Sequence, residues 1–250
     1  MQQLNIFNKT KEELAIEFLQ KHEPEEGYYV GVSFGKDSLV LYDLVLKSDV
    51  KHEAYYACTG LDAPELMRFG RKYYPNVKWL FPKRHFFKEM VDRGYPTKMA
   101  RWCCDYLKKQ STKNIPLKYR LMGIRAEESW RRRKLGQISE FNKWMIYKPI
   151  FYWEEWEVWD YIDINNIKYS SLYDEGFRRL GCVVCPFICN KNQKELNRHK
   201  ERWPRHYKRF EKSMLKLYNN SSKDSMVEIK NKISFETFLD NWYKGKSNDV

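Results

Sequence analysis

The clearest pattern in the chain is a pair of apolar runs whose period changes within a few residues. Residues 29–32 form a short, β-branched run of the kind a buried strand carries. After Ser33-Phe34-Gly35-Lys36-Asp37-Ser38, Leu41, Leu44 and Val45 recur at i, i+3 and i+4, the stripe of a helix packed on a sheet. Upstream, Thr10-Lys11-Glu12-Glu13 has the form of a capping box, and Leu14, Phe18 and Leu19 share a face, so a helix is predicted over 8–22. Downstream, 52–58 reads as a second strand, 65–74 as a helix and 77–81 as a third strand. A short helix over 86–93 stops at Gly94, and 119–124 reads as a further strand. Residues 134–143 are polar and are expected to form a mobile loop. The aromatics of 153–162 (Trp153, Trp156, Trp159, Tyr161) suit an amphipathic helix. They are read as core, because base-stacking platforms interleave aromatics with basic residues and this segment carries Glu154, Glu155, Glu157 and Asp160. Beyond Asn190 the pattern is basic and helical, with Phe210, Met214 and Leu217 on one face and a last helix over 234–243. Strands alternating with helices predict an α/β fold with a doubly wound parallel sheet, residues 1–190, and a basic helical C-terminal extension, 191–250.

The junction between the first strand and the next helix is where chemistry is expected. A strand, a short polar loop and a helix start turn unpaired N–H groups and a positive helix end outward, and a phosphate satisfies both. Gly35 lets the backbone approach that phosphate without a Cβ. Lys36 adds a full charge, and Ser33 and Ser38 add hydroxyl donors. The loop is not of the Walker type, which needs four residues between its glycines followed by Gly-Lys-Ser/Thr. Arg125, in a Gly-x-Arg at the end of the 119–124 strand, offers a guanidinium to an anion in the same crevice.

Composition narrows the partners. The chain has 250 residues, 42% of them apolar, and a formal charge of +13. That is enough for a sizeable core and rules out wholesale disorder. The positive field attracts polyanions, whether nucleic acid, nucleotides or acidic proteins. No apolar run approaches the eighteen or so residues that span a membrane, and the N-terminal stretch has no signal-peptide core, so a cytoplasmic location without a membrane partner is expected. The six cysteines are Cys58, Cys103, Cys104, Cys182, Cys185 and Cys189. Cys103-Cys104 and Cys182-x-x-Cys185 can present four thiolates to one centre, which suits either a tetrahedral zinc or an iron–sulfur cluster; spacing does not separate the two.

The loop resembles the pyrophosphate loop Ser-Gly-Gly-Lys-Asp-Ser of the adenine-nucleotide α-hydrolase superfamily, with Phe34 where that family has a glycine. Cys58-Thr59-Gly60 through Glu65 is similar to Asp-Thr-Gly-x-x-x-Pro-Glu of the phosphoadenosine phosphosulfate reductase family, with Cys58 in place of Asp. Gly123–Arg132 resembles that family's Gly-x-Arg-x-x-Glu-Ser-x-x-Arg, the stretch 148–159 its Pro-(Ile/Leu)-x-x-Trp segment, and 172–185 its Leu-(Tyr/His)-x-x-Gly-(Phe/Tyr)…Cys-x-x-Cys. The resemblance spans about 28–207. It implies an adenine nucleotide bound by Ser33, Phe34, Gly35, Lys36, Asp37, Ser38, Thr59, Gly60 and Arg125, with Lys36, Asp37 and Arg125 catalytic and Mg²⁺ accompanying ATP. It implies a 4Fe-4S cluster on Cys103, Cys104, Cys182 and Cys185, zinc being the alternative. Two activities are implied. One is ATP cleavage between the α and β phosphates to adenylylate an acceptor for sulfur, as in DNA phosphorothioation or tRNA thiolation, with a cysteine desulfurase as donor. The other is reduction of adenylyl sulfate or its 3′-phosphorylated form to sulfite with a thioredoxin-like donor. The family's reductases carry a catalytic cysteine in a later Lys-Arg-x-Cys-Gly motif; no cysteine follows Cys189 in this sequence, which favours the first activity unless Cys58 or Cys189 acts instead. A non-catalytic nucleotide- or nucleic-acid-binding module is the third reading.

Overall fold

The computed structural model describes residues 9–189 and 193–246. Asn8 and Asn190, at the edges of two predicted segments, lie outside them, as does the side chain of Cys189. In chain order the elements are α1 (Lys11–Lys21), β1 (Tyr28–Gly31), α2 (Lys36–Ser48), β2 (His52–Ala57), α3 (Pro64–Tyr73), β3 (Lys78–Leu80), α4 (Phe86–Arg93), α5 (Trp102–Cys104), β4 (Tyr119–Met122), α6 (Trp130–Arg133), β5 (Ile138–Phe141), β6 (Trp144–Tyr147), α7 (Glu155–Ile164), α8 (Pro186–Cys189), α9 (Gln193–Arg202), α10 (Pro204–Asn220), α11 (Asp224–Lys232) and α12 (Phe235–Lys244). The chain divides into two compact units. One comprises 1–57, 64–80 and 114–180; the other comprises 58–63, 81–113 and 181–250. No described helix is long and apolar enough to cross a membrane.

The first unit is built on one sheet of order β3-β2-β1-β4-β6-β5, parallel except for the β5–β6 pair. From β1 the chain steps outward to β2 and β3, and from β4 it steps the other way to β6. The order therefore reverses between β1 and β4, the place where open α/β sheets bind ligands beyond the carboxyl ends of their strands. β1 and β2 are neighbours, as their sequence positions suggest. α1 starts with the capping box that its sequence carries: Glu13 N donates to the Thr10 hydroxyl at 3.2 Å and Thr10 N to the Glu13 carboxylate at 2.7 Å. The aromatics of 153–162, in and just before α7, are core in part. Trp153 and Tyr161 are buried, whereas Trp156 is exposed and its indole N–H donates to Glu154.

Residues 134–143 are not the mobile loop their polarity suggests. Ile138–Phe141 pairs antiparallel with β6 across the two-residue turn Asn142-Lys143. Asn142 takes φ 55°, which its short amide side chain tolerates. The strand is polar because it lies at a sheet edge and is mostly exposed. Buried Lys148 fastens it, donating to Gly136 O at 2.9 Å and to Ser139 Oγ at 2.8 Å.

The second unit is largely helical. α4 ends at Gly94 (φ 102°), as its sequence predicts. α10 starts with Pro204 and buries Tyr207, Phe210, Met214 and Leu217 along one face. Trp242 of α12 donates to Pro96 O at 2.7 Å, which ties the C-terminal helices to the segment after α4.

One core contact in the first unit sets the shape of the phosphate loop. Phe34 has φ 58°, a left-handed conformation costing a non-glycine residue roughly 1–2 kcal/mol. Its ring is 0% exposed, against Tyr56 (4.7 Å), Trp79 (5.8 Å) and Tyr74 (6.1 Å). Full burial of such a ring returns about 1.5–3 kcal/mol, so packing outweighs the strain. Space for the ring exists because position 70 of α3 is glycine: a Cβ there would stand 2.4 Å from Phe34 Cε2. Gly70→Ala is therefore expected to destabilise the protein by about 1–3 kcal/mol in urea unfolding. In a Phe34→Gly background, which itself costs about 2–3 kcal/mol, the same change should become stabilising by about 0.5–1 kcal/mol, the ordinary helical preference for Ala. An unchanged sign in the two backgrounds would contradict this packing.

Candidate functional site

β1 delivers the chain into Ser33–Ser38, and Gly35 N-caps α2. Ser38 holds the loop's curvature: its hydroxyl accepts from Ser33 N (3.0 Å) and donates to Gly35 O (2.9 Å). Ser33 is exposed, while Phe34 turns its ring into the core and can offer an anion only its backbone. The Lys36 amide donates to the Tyr173 hydroxyl at 2.9 Å, so an oxygen already occupies a position suited to a phosphate oxygen. A Cβ at Gly35 would meet that hydroxyl and Ser33 Oγ at 3.4 Å, so the position is closely surrounded.

Lys36 is 5% exposed. Its ammonium lies 3.2 Å from Asp37 Oδ2 and 3.3 Å from Glu155 Oε1. Asp37 is gripped from the other side by Arg125 Nε at 2.6 Å. Arg125, 3% exposed, also donates through Nη1 to Glu127 and to Trp153 O (3.4 Å). Glu127 in turn accepts from the Glu155 amide at 2.8 Å. Burial works against the charge on Arg125, but Asp37 and Glu127 outweigh it and raise its pKa. Gly123, just past β4, is pressed against the start of α2, where a Cβ would stand 2.7 Å from Asp37 O. The two sides of the sheet's reversal point are thus locked together through Asp37.

Two further cations surround the loop. Arg132 is ion-paired with Glu128, and its pKa is lowered by burial and by the neighbouring charge of Arg179, against the pull of Asp37. Burial raises the pKa of Tyr173. The Lys36 amide opposes that rise, Asp37 and Glu155 add to it, and Arg179 opposes it. Lys36, Arg125, Arg132 and Arg179 therefore face a common region with Asp37, Glu127 and Glu155. Tyr173, Glu155, Arg132 and Arg179 were not singled out from sequence. All four nevertheless sit inside motif-like stretches, Arg132 in 123–132, Glu155 in 148–159, and Tyr173 and Arg179 in 172–185, which is the available signal.

The second unit gathers the cysteines. Cys58, Cys103, Cys104, Cys182 and Cys185 are thiols, not disulfide halves. Cys103 and Cys104 end α5 and run into a single π-helical turn, Asp105–Lys109, a geometry common at functional sites. Cys103 donates its S–H to Cys104. That bond, with burial and the nearby sulfurs of Cys182 and Cys185, raises the Cys103 pKa. The same bond lowers the Cys104 pKa to about 6, assisted by Lys108 and Arg101 and opposed by burial. Burial pushes the Cys182 thiol up to about 12, and burial likewise raises Cys185. Lys108 is held protonated chiefly by Cys182, and also by Asp62, Cys104 and Cys185. The Cys-x-x-Cys turn is pinned in place. Cys182 bridges Asp62, Val183 N donates to Leu61 O at 2.7 Å, and Tyr207 donates to Val183 O at 3.0 Å.

Thr59 and Gly60 belong to this second unit. Thr59 donates through its amide (2.7 Å) and hydroxyl (2.8 Å) to buried Asp62, and its hydroxyl lies 3.4 Å from Cys182 Sγ. Gly60 has φ 73°. Cys58, one residue past β2, is 3% exposed and reads as a small packed side chain. Among the described residues no three His, Cys, Asp or Glu side chains converge as a ready cage for a single metal ion. Four thiols in electrostatic contact, with Lys108 and Arg101 beside them, are a donor set that suits a zinc ion or an iron–sulfur cluster.

The family model for the phosphoadenosine phosphosulfate reductase domain matches residues 27–187. An uncharacterized protein of Methanocaldococcus jannaschii is 35% identical over 193 residues, covering 72% of this chain and 46% of the relative. The adenosine 5'-phosphosulfate reductase of Geobacillus kaustophilus is 27% identical, covering 71% of this chain and 80% of the relative. The phosphoadenylyl-sulfate reductase of Candida auris, solved as a phosphate complex, shares the fold with a TM-score of 0.55 at 19% identity, covering 71% of this chain and 90% of that one. The chain thus spans less than half the length of the Methanocaldococcus relative.

Proposed function

The chain belongs to the phosphoadenosine phosphosulfate reductase domain family, and on that premise we propose that it is an enzyme that cleaves ATP between the α and β phosphates. It would thereby adenylylate an oxygen of a nucleic-acid acceptor for replacement by sulfur. The acceptor oxygen attacks the α-phosphorus and forms the new P–O bond. The bond from that phosphorus to the bridging oxygen breaks, pyrophosphate leaves with the electron pair, and the acceptor's proton passes to solvent. The outer sulfur of a persulfide donor of the cysteine desulfurase type attacks the activated carbon or phosphorus and expels AMP. A thiol then attacks the donor's inner sulfur, the S–S bond breaks with its electron pair staying on the transferred sulfur, and donor and thiol leave as a disulfide.

The observation that carries this reading is the pair of carboxylates on the Lys36 ammonium, Asp37 at 3.2 Å and Glu155 at 3.3 Å. A site for a bare sulfonucleotide anion gains nothing from carboxylates beside its phosphate loop. A site for a metal–nucleotide complex does, because magnesium is held by one or two carboxylates together with substrate phosphates. Asp37 and the half-exposed Glu155 would take the water shell of magnesium, which supplies neutralisation of the pyrophosphate charge. Lys36 and the loop amides bind the leaving group as its charge grows. Arg125 is a positioning residue: its described contacts go to Asp37, Glu127 and Trp153 O, so it fixes the carboxylate that fixes Lys36. Ser33, Ser38 and the Phe34 and Gly35 backbone shape the cradle.

Cys103, Cys104, Cys182 and Cys185 would hold a 4Fe-4S cluster, which supplies a rigid cross-link and a site for sulfur or electrons. Thr59 and Lys108 would lie against its thiolates. Reduction of a sulfonucleotide remains a second reading, favoured by the Geobacillus reductase and its 80% coverage. Burial of Cys58 weighs against that residue as the reducing nucleophile.

With Mg·ATP and an unmodified nucleic-acid acceptor, the wild type is expected to release AMP and pyrophosphate, and Lys36→Ala to lower that rate by about 10²–10³-fold. Intact ATP alongside sulfite release from adenylyl sulfate would overturn the ATP reading. Anaerobically purified protein is expected to carry about four iron and four sulfide per chain, lost in Cys182→Ser. Zinc without iron would overturn the cluster.

A further inference from the structure

The ends of α6 present an unusual surface. Trp130 opens the helix and is 66% exposed, although tryptophan is ordinarily among the best-buried side chains. Lys134 Nζ stands 3.7 Å from its ring centroid. Arg131, Arg133 and Lys134 are all exposed, and Leu135 beside them is exposed as well. The segment is nonetheless held firmly. Ser129 caps the helix by accepting from the Arg132 amide at 3.2 Å, and Leu135 N donates to Arg132 O at 2.9 Å. Arg132 turns the opposite way from these exposed cations: it is half-buried, paired to Glu128, and within electrostatic reach of Asp37, Arg125 and Arg179. One short helix thus joins an aromatic–basic outer face to the phosphate loop.

An indole left in water contributes little to folding, and three like charges in four residues repel one another. Both features are what a single-stranded polyanion requires, since aromatic faces stack unpaired bases and flanking cations follow the phosphates. A duplex buries its base faces and would leave Trp130 unused, whereas unpaired loops of RNA offer them.

We propose that Trp130, Arg131, Arg133 and Lys134 form the docking surface for an unpaired segment of an RNA acceptor, with one base stacked on Trp130 and its neighbouring phosphates on the three cations. The strand so held runs toward Arg132 and the phosphate loop. This rests on the reading above that the acceptor is a nucleic acid. It can be tested without turnover, so the two fail separately.

The test is fluorescence anisotropy of the full chain with a labelled single-stranded oligouridylate and, in parallel, a duplex DNA of equal length, across a salt series without ATP. The wild type is expected to prefer the single-stranded RNA. Trp130→Ala should weaken it about 10–100-fold and Trp130→Phe should restore most of the affinity. The triple variant Arg131→Ala/Arg133→Ala/Lys134→Ala should lower the slope of log affinity against log salt by about 2. Urea midpoints of these variants should match the wild type, because the altered side chains are exposed. Wild-type affinity in Trp130→Ala, an unchanged slope in the triple variant, or equal binding of duplex DNA would overturn the proposal. Loss of ATP cleavage with RNA binding intact would overturn only the catalytic reading. Cleavage of ATP without RNA binding would overturn only this one.

Discussion

The salt bridge between Asp37 and Arg125, 2.6 Å long, is the constraint on which the first unit's site depends. Asp37 stands in the first turn of α2, and Arg125 follows β4. Together with the close approach of Gly123 to the Asp37 backbone, the bridge ties the start of that helix to the far side of the sheet's reversal point. A helix start alone offers a fraction of a charge to an anion. Here it is fixed in position, and a buried ammonium is added to it. A lysine in place of Arg125 would keep the charge but not the fork that serves Asp37 and Glu127 at once.

Charge balance explains the rest of the loop. A buried lysine is costly unless it is paired, and Lys36 is paired twice. In the absence of ligand those carboxylates hold the ammonium in place. In the proposed reaction they would remain beside an arriving polyphosphate, and a divalent cation would resolve the repulsion. In the second unit the balance is only partial: Lys108 and Arg101 help to lower the Cys104 thiol, while burial still raises Cys182 and Cys185.

Much of this was legible in the residues themselves. The change from a strand's run to a helix's stripe located β1, the loop and α2, because buried parallel strands and their covering helices have different periods. The Gly94 stop marked the end of α4, and the Thr10 capping box marked the start of α1, three residues inside the predicted 8–22. Residues 134–143 misled because an exposed edge strand has the composition of a loop, and only the Asn142-Lys143 turn between Phe141 and Trp144 betrays it. The loop's glycine-to-phenylalanine departure was visible, but its remedy, Gly70 on α3, is a tertiary contact between positions 36 residues apart in number and carries no local pattern. Glu155 was hidden for a similar reason. It sat in a segment read for its aromatics, and its partner Lys36 is remote in sequence. Trp130 carries no signal in the sequence, because exposure, not identity, makes it unusual.

The most direct test of the carboxylate-lined loop is calorimetric titration of the protein with inorganic pyrophosphate, with and without magnesium. Binding that magnesium tightens, and that disappears in Lys36→Ala, is the expected result. Binding of pyrophosphate that magnesium weakens or leaves unchanged would contradict a loop built for a metal–nucleotide complex.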